Sequence, residues 1–330
     1  MTDYLYKYYD VYGTSVEFCF NSPLWMESMS YCLSIPSIER RDEAKIKLSL
    51  LEIGQDEVNE HILLPGDEKL RGESILQLNR DIPYARYTSG QQRWINFTGY
   101  GRSWIDFSKG IAKAVRFRNC GISPYYSDII FGYLGLINLM TIEGFYWIHA
   151  SCVEVNRKGI VFTGNSRKGK STAAYAMLRR GHPILSDDRL MLAKRSAFYG
   201  ISVTDIIKFR CGAIHNLFPE LQQKQPYQYI DGEYHYKAAA TEGLKFIPST
   251  KIYTLMTLEQ TGQFKSRVEK IPPAKVVEEL FPVTMDIYGI DINKKFHFIM
   301  DFLLNIDCYH VYFGTDMEYF GCLMEELVGG

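Results

Sequence analysis

Residues Gly164-Asn165-Ser166-Arg167-Lys168-Gly169-Lys170-Ser171 read G-x-x-x-x-G-K-S. That pattern has meaning only between a buried strand and a helix. Both flanks are in place. The apolar run Gly159-Ile160-Val161-Phe162-Thr163 suits the strand, and the alanine-rich run from Ser171 to Arg180 suits the helix, with Gly181 as its C-terminal stop. A chain holding this unit is constrained to an α/β fold, because the strand must lie inside a sheet and the helix must cover it. The loop residues through Thr172 would turn backbone N–H groups toward phosphate oxygens. Lys170 would reach the β/γ-phosphates of ATP, and the Ser171 hydroxyl would ligate Mg²⁺.

A second signal follows the helix. His182-Pro183-Ile184-Leu185-Ser186-Asp187-Asp188 reads as a short strand ending in paired acids. A metal–nucleotide complex needs a carboxylate near the metal, and transfer to a hydroxyl benefits from one that takes the proton. Neighbours on a strand point to opposite sides, so Asp187 and Asp188 can serve the two needs. The plain alternative is a solvated turn or a helix cap. His149 precedes the loop by one hairpin, which would bring it close to the acids, although a lone histidine on an apolar strand is more often a satisfied core residue. Arg210 and Lys237 are candidate phosphate clamps from downstream.

Composition limits the partners. The net charge of −1 gives no electrostatic case for nucleic acid or a membrane surface. Seven cysteines are scattered singly, with no C-x-x-C, which suits a reducing cytoplasm and argues against a zinc ribbon. The most apolar stretch, residues 129–140, is too short to span a bilayer and is bounded by Asp128 and Glu143. Residues 125–141 read instead as a buried helix ended by Gly144. The chain carries 24 Tyr and 19 Phe, many of them in its first third, and that third reads as strands broken by Gly13, Ser89-Gly90 and Gly99. Gly121, Ser123 and Pro124 interrupt the pattern, so two domains are expected, a β-rich 1–120 and a P-loop unit 121–330. Residues 227–241, polar and aromatic without clear period, read as a loop.

In order and separation, Ile148-His149-Ala150-Ser151, Gly164 to Thr172, Arg180-Gly181-His182 and Leu185-Ser186-Asp187-Asp188 resemble the HPr kinase/phosphorylase superfamily. Phe209-Arg210-Cys211-Gly212 is distantly similar to that family's Glu-x-Arg-Gly signature, and the similarity covers about residues 125–255. The chain's ending looks more like divergent members from bacterial gene clusters, some of which phosphorylate a serine on a ribosomally made peptide, as the lasso-peptide kinases do. The resemblance implies a P-loop kinase core of the HPr kinase/PEP carboxykinase type, with a mixed sheet, and a possible homo-oligomer. It implies Asp188 as the general base, His149 as the residue that sets the charge of the acids, and Asp187 as a metal support or a holder of His149. Arg167 and Lys168 stand where the family has a small residue and glycine, and Lys208 aligns with its metal-binding Glu, leaving Asp205 as the candidate substitute. The expected activity is therefore one-way transfer from ATP to a serine-type hydroxyl of a peptide or small protein, such as a ribosomally made precursor. The rivals are a kinase of free serine or a sugar, and a nucleotide sensor without transfer. The N-terminal domain is expected to hold the acceptor, by strand addition at an exposed sheet edge.

Overall fold

The structure, a computed structural model, describes residues 4–39, 43–65, 69–71, 75–77, 80–165, 167–217, 219–230, 232–241, 244–284 and 292–329. The chain forms two compact units, one built on Met1–Phe145 and the other on Tyr146–Met285 with Asp291–Gly330. Both are mixed α/β assemblies.

The first unit is an eight-stranded sheet. Ile46–Ile53 lies inside it, parallel to Thr14–Phe20 on one side and to Ile111–Phe117 on the other, while the remaining described pairs are antiparallel. Alternation in Ile46–Ile53 buries Ile46, Leu48 and Leu50 and leaves Lys47 and Ser49 partly exposed, as a half-buried strand requires. The unit runs to Phe145, well past the break at Cys120, and the reason is the helical segment 124–143. Its Phe131 ring packs edge-on against Trp25 and Phe97, at 6.3 and 5.2 Å. Gly132 lies over Met29 and Leu50, and a Cβ there would meet the Met29 sulfur at 2.5 Å. The expected buried helix is thus helical, but not uniformly α: a π-helical turn at Asp128–Tyr133 separates Pro124–Ser127 from Leu134–Leu139. Gly144 closes the segment with φ 79°, a left-handed cap that glycine adopts at little cost.

The second unit is a nine-stranded mixed sheet between helices. Its spine is Ser249–Gln260, which pairs in parallel with Lys158–Thr163 on one side. On the other side it pairs first with Phe198–Ile201, antiparallel, and then with Asp307–Phe313, parallel. Lys158–Thr163 is therefore interior, with Ala150–Val155 and then Ile184–Ser186 beyond it, both antiparallel. Period-two alternation sends Ile160 and Phe162 into one core with the helices Lys170–Arg179 and Met317–Gly329. Val161 goes into the opposite core with Pro273–Val283 and Ile292–Leu304. No described helix is long and apolar enough to cross a membrane.

Residues 227–241 depart from the expected loop. Gln228–Ile230 and Glu233–Lys237 are strands, and the latter pairs on its other edge with Ile206–Arg210 to form a separate three-stranded sheet. The partner strand lies more than twenty residues upstream, so the hydrogen bonds that stabilise this segment leave no local period to read.

Candidate functional site: a P-loop facing an acid pair

The interior strand Lys158–Thr163 ends at Gly164, and the helix starts at Lys170. Gly164 and Gly169 take φ of 137° and 97°, conformations that side chains other than glycine avoid. A Cβ on Gly169 would also press on Gln260 and Phe313, both at 3.2 Å. Arg167 adopts φ 71° and is exposed, as is Asn165, while Lys168 is half-buried and Thr172 buried. Ser166 lies outside the described residues. The Lys170 ammonium turns back onto the loop, donating to the carbonyls of Gly164 at 2.9 Å and Asn165 at 3.3 Å. Burial lowers its pKa, Asp188 and Asp187 oppose that effect, and Lys208 adds to it.

Asp187 and Asp188 occupy the bend after Ile184–Ser186. That strand pairs with Ala150–Val155, so the bend falls beside His149, which breaks the chain between Phe145–Ile148 and Ala150–Val155. Thr163 ties the end of the P-loop strand to the same place, donating to the His149 carbonyl at 3.3 Å.

The two acids have separate partners. Asp187 accepts the backbone N–H of Lys208 at 2.7 Å and the Ser151 hydroxyl at 3.3 Å. Asp188 accepts the Lys208 ammonium on Oδ2 at 2.6 Å, and its Oδ1 lies 3.1 Å from His149 Nδ1. His149 is accordingly held by Asp188, not by Asp187. A carboxylate only accepts, so the neutral ring is assigned the Nδ1–H tautomer, which leaves the lone pair on Nε2. Burial lowers the His149 pKa; Asp188 opposes this, while Lys170, Lys208 and Arg189 reinforce it.

Their titration diverges as well. Burial pushes Asp187 up to about 6, against hydrogen bonds from Ser171 and Lys208. Burial alone would raise Asp188 too, but Lys208, His149 and Arg189 outweigh it and hold that carboxyl well below the usual range. A carboxyl with a raised folded pKa costs stability when ionised: the cost is absent below about pH 4, grows as pH rises toward about 6, and is constant above. Asp187→Asn should therefore raise the melting temperature at pH 8, by about 2–4 °C per kcal/mol relieved, and change it little at pH 4. Equal shifts at both pH values, read by thermal melts, would refute the assignment.

The remaining sequence candidates have other partners in the structure. Arg210 bonds Glu233 at 3.2 Å, and the Lys237 ammonium sits 4.2 Å above the Tyr227 ring. Asp205 accepts the N–H groups of Ala238 and Ala239 on its carbonyl and carboxylate, at 2.9 and 3.0 Å, capping the turn Ala238–Ala240. In place of Arg210 and Asp205, the structure brings Lys208 to the acids. The signal for it was present: Ile207 and Phe209 are buried, so Lys208 and Arg210 share the other face of Ile206–Arg210.

Hard oxygen donors suit Mg²⁺, which commonly takes one or two protein ligands and completes its shell with water and substrate phosphate. Ser171 and Asp187 are such a pair, close enough for the Ser171 hydroxyl to lower the Asp187 pKa. Among the described residues no group of three or more His, Cys, Asp or Glu side chains converges on a metal position, so any ion there would depend on the nucleotide for the rest of its shell.

No family model matches the chain, and no curated protein sequence matches it. Among solved structures, the Hpr(Ser) kinase/phosphatase from Coxiella burnetii is similar over 56% of this chain and 93% of its own, at 16% identity and a TM-score of 0.30.

Proposed function

We propose that this chain is an ATP- and Mg²⁺-dependent kinase that moves the γ-phosphoryl group to a serine-type hydroxyl of a peptide or small protein. One observation carries the reading: the P-loop, with the Lys170 ammonium on its carbonyls, is joined to the acid pair through the Thr163 bond to the His149 carbonyl and the His149–Asp188 contact at 3.1 Å. Phosphoryl transfer needs little beyond that, namely a positioned donor, positive charge around the phosphoryl oxygens, and an acceptor for the hydroxyl proton. The loop and Lys170 would hold the phosphates. Ser171 and Asp187 would hold Mg²⁺, which neutralises charge on the phosphates when bound. Asp188 would take the proton, oriented by His149 on one oxygen. The exposed Arg167 would meet the acceptor rather than the nucleotide. The first unit would help hold that acceptor at a sheet edge; Leu5–Val11 ends the sheet, with Tyr4 and Tyr6 exposed at its start and Ile38 bridging Tyr8 further along.

A nucleotide sensor is the second reading, favoured by the lysine that already occupies Asp188. Incubation with γ-labelled ATP, a panel of serine-containing peptides, free serine and simple sugars separates the readings. The kinase reading expects label on a peptide serine. Label only on a small molecule would move the acceptor class, and tight ATP binding with no labelled product would leave the sensor.

A further inference from the structure

Both carboxylate oxygens of Asp188 are engaged, Oδ1 beside His149 and Oδ2 by the Lys208 ammonium at 2.6 Å. The same residue also binds the other acid through its backbone, with the Lys208 N–H on Asp187 Oδ2 at 2.7 Å. Its side chain is only 17% exposed, so the ammonium is directed inward by the strand and does not sweep through solvent. Ile207 and Phe209, on either side of it in sequence, are anchored in the core. A divalent ion on Asp188 would have to sit almost in contact with that ammonium, and like charges at such a distance repel strongly in a partly buried site. On the Ser171–Asp187 side Lys208 meets the carboxylate through its uncharged N–H group, and its ammonium is paired with Asp188 instead.

We propose that Lys208 is the second cation of this centre. Its ammonium fills the position beside Asp188 that a second divalent ion would need, so the loaded site takes one ion, on the Ser171–Asp187 side. When nucleotide and acceptor are bound, the three-donor head of Lys208 spans Asp188 and the nearest oxygen of the transferring phosphoryl group. It stabilises charge there while keeping Asp188 aimed at the acceptor hydroxyl. The bond changes are those of ordinary transfer: the acceptor oxygen bonds phosphorus, the bond from phosphorus to the ADP oxygen breaks, and the hydroxyl proton passes to Asp188. Lys208 remains protonated throughout. This assignment rests on the phosphotransfer reading of the site.

The test counts bound Mn²⁺ per bound non-hydrolysable ATP analogue, by electron paramagnetic resonance, in the full chain and in Lys208→Gln and Lys208→Glu. One ion is expected in the parent, and two in Lys208→Glu, where a carboxylate replaces the ammonium. With an acceptor in hand, Lys208→Gln should transfer about 10²-fold more slowly at similar nucleotide affinity, and Lys208→Arg should recover part of that loss. Two ions in the parent, or near-normal transfer by Lys208→Gln, would overturn the proposal. If no acceptor is ever phosphorylated, the kinase reading fails by itself. The ion count still decides the role of Lys208: a difference between parent and Lys208→Glu supports it, and equal counts refute it.

Discussion

Asp188→Asn is expected to slow phosphoryl transfer by about 10²–10⁴-fold, the range that a positioned proton acceptor contributes, while ATP affinity stays within a few-fold or improves. The substitution is nearly isosteric, and the amide oxygen can still accept from His149 Nδ1, at the position where Asp188 Oδ1 now lies 3.1 Å away. What it removes is the negative charge. Without that charge the acceptor hydroxyl has no adjacent base, and Lys208 loses the partner that now sits 2.6 Å from its ammonium. A released ammonium close to the phosphates attracts them, so any change in affinity should be a tightening. The measurement pairs a transfer rate with a nucleotide titration on the same preparation. A variant with near-parental transfer would remove Asp188 from the proton path and leave His149 Nε2 as the base to be tested next. A variant that loses ATP binding as well would mean that the residue holds the site together without acting in it.

The parts legible in the sequence are those fixed by short-range geometry. Gly164, Gly169 and Lys170 stand at spacings set by one loop, and the alternation of Ile160, Val161 and Phe162 already states which side of the strand meets which layer of helices. Asp187 and Asp188 were visible because a strand end shortly after the P-loop helix is a position of known consequence. The rest depends on pairings that no local period encodes. Arg210 and Lys208 are equivalent in a pattern of alternate residues, and only the register of Ile206–Arg210 against Glu233–Lys237, together with the N–H bond to Asp187, decides which of them faces the acids. The partner of His149 was unreadable for a similar reason, since it depends on how tightly the chain bends between Ser186 and Leu190. The end of the first unit was obscured by composition: Gly121, Ser123 and Pro124 look like a linker, yet Ser123 accepts the Tyr126 N–H and caps a helix that covers the sheet through Phe131 and Gly132.

Lys170→Met should leave the free protein about as stable as before while abolishing most of the stabilisation that ATP and Mg²⁺ provide. Lys170 is 8% exposed, and burial is the main influence lowering its pKa, so the charge is held at a cost in the absence of phosphate. Methionine keeps much of the length and the packing of the stem without that cost. Against this stands the loss of two hydrogen bonds, to the Gly164 and Asn165 carbonyls, and Asn165 is exposed enough for water to replace one of them. The two effects oppose each other, so the melting temperature without ligand should move by no more than a few degrees. With ligand the balance changes. At 100 times its Kd a nucleotide adds about 2.7 kcal/mol, which for a unit the size of the second one corresponds to roughly 5–10 °C. If removing the ammonium weakens phosphate binding about 100-fold, the same ligand concentration adds only about 0.4 kcal/mol, or roughly 1 °C. Thermal melts of both proteins with and without nucleotide read this directly. A full ligand-induced shift in Lys170→Met would show that the lysine rests on the loop carbonyls for structural reasons alone. A large fall in the ligand-free melting temperature would show that those two bonds outweigh the burial of the charge, and the loop would then need its lysine to fold before it could use it to bind.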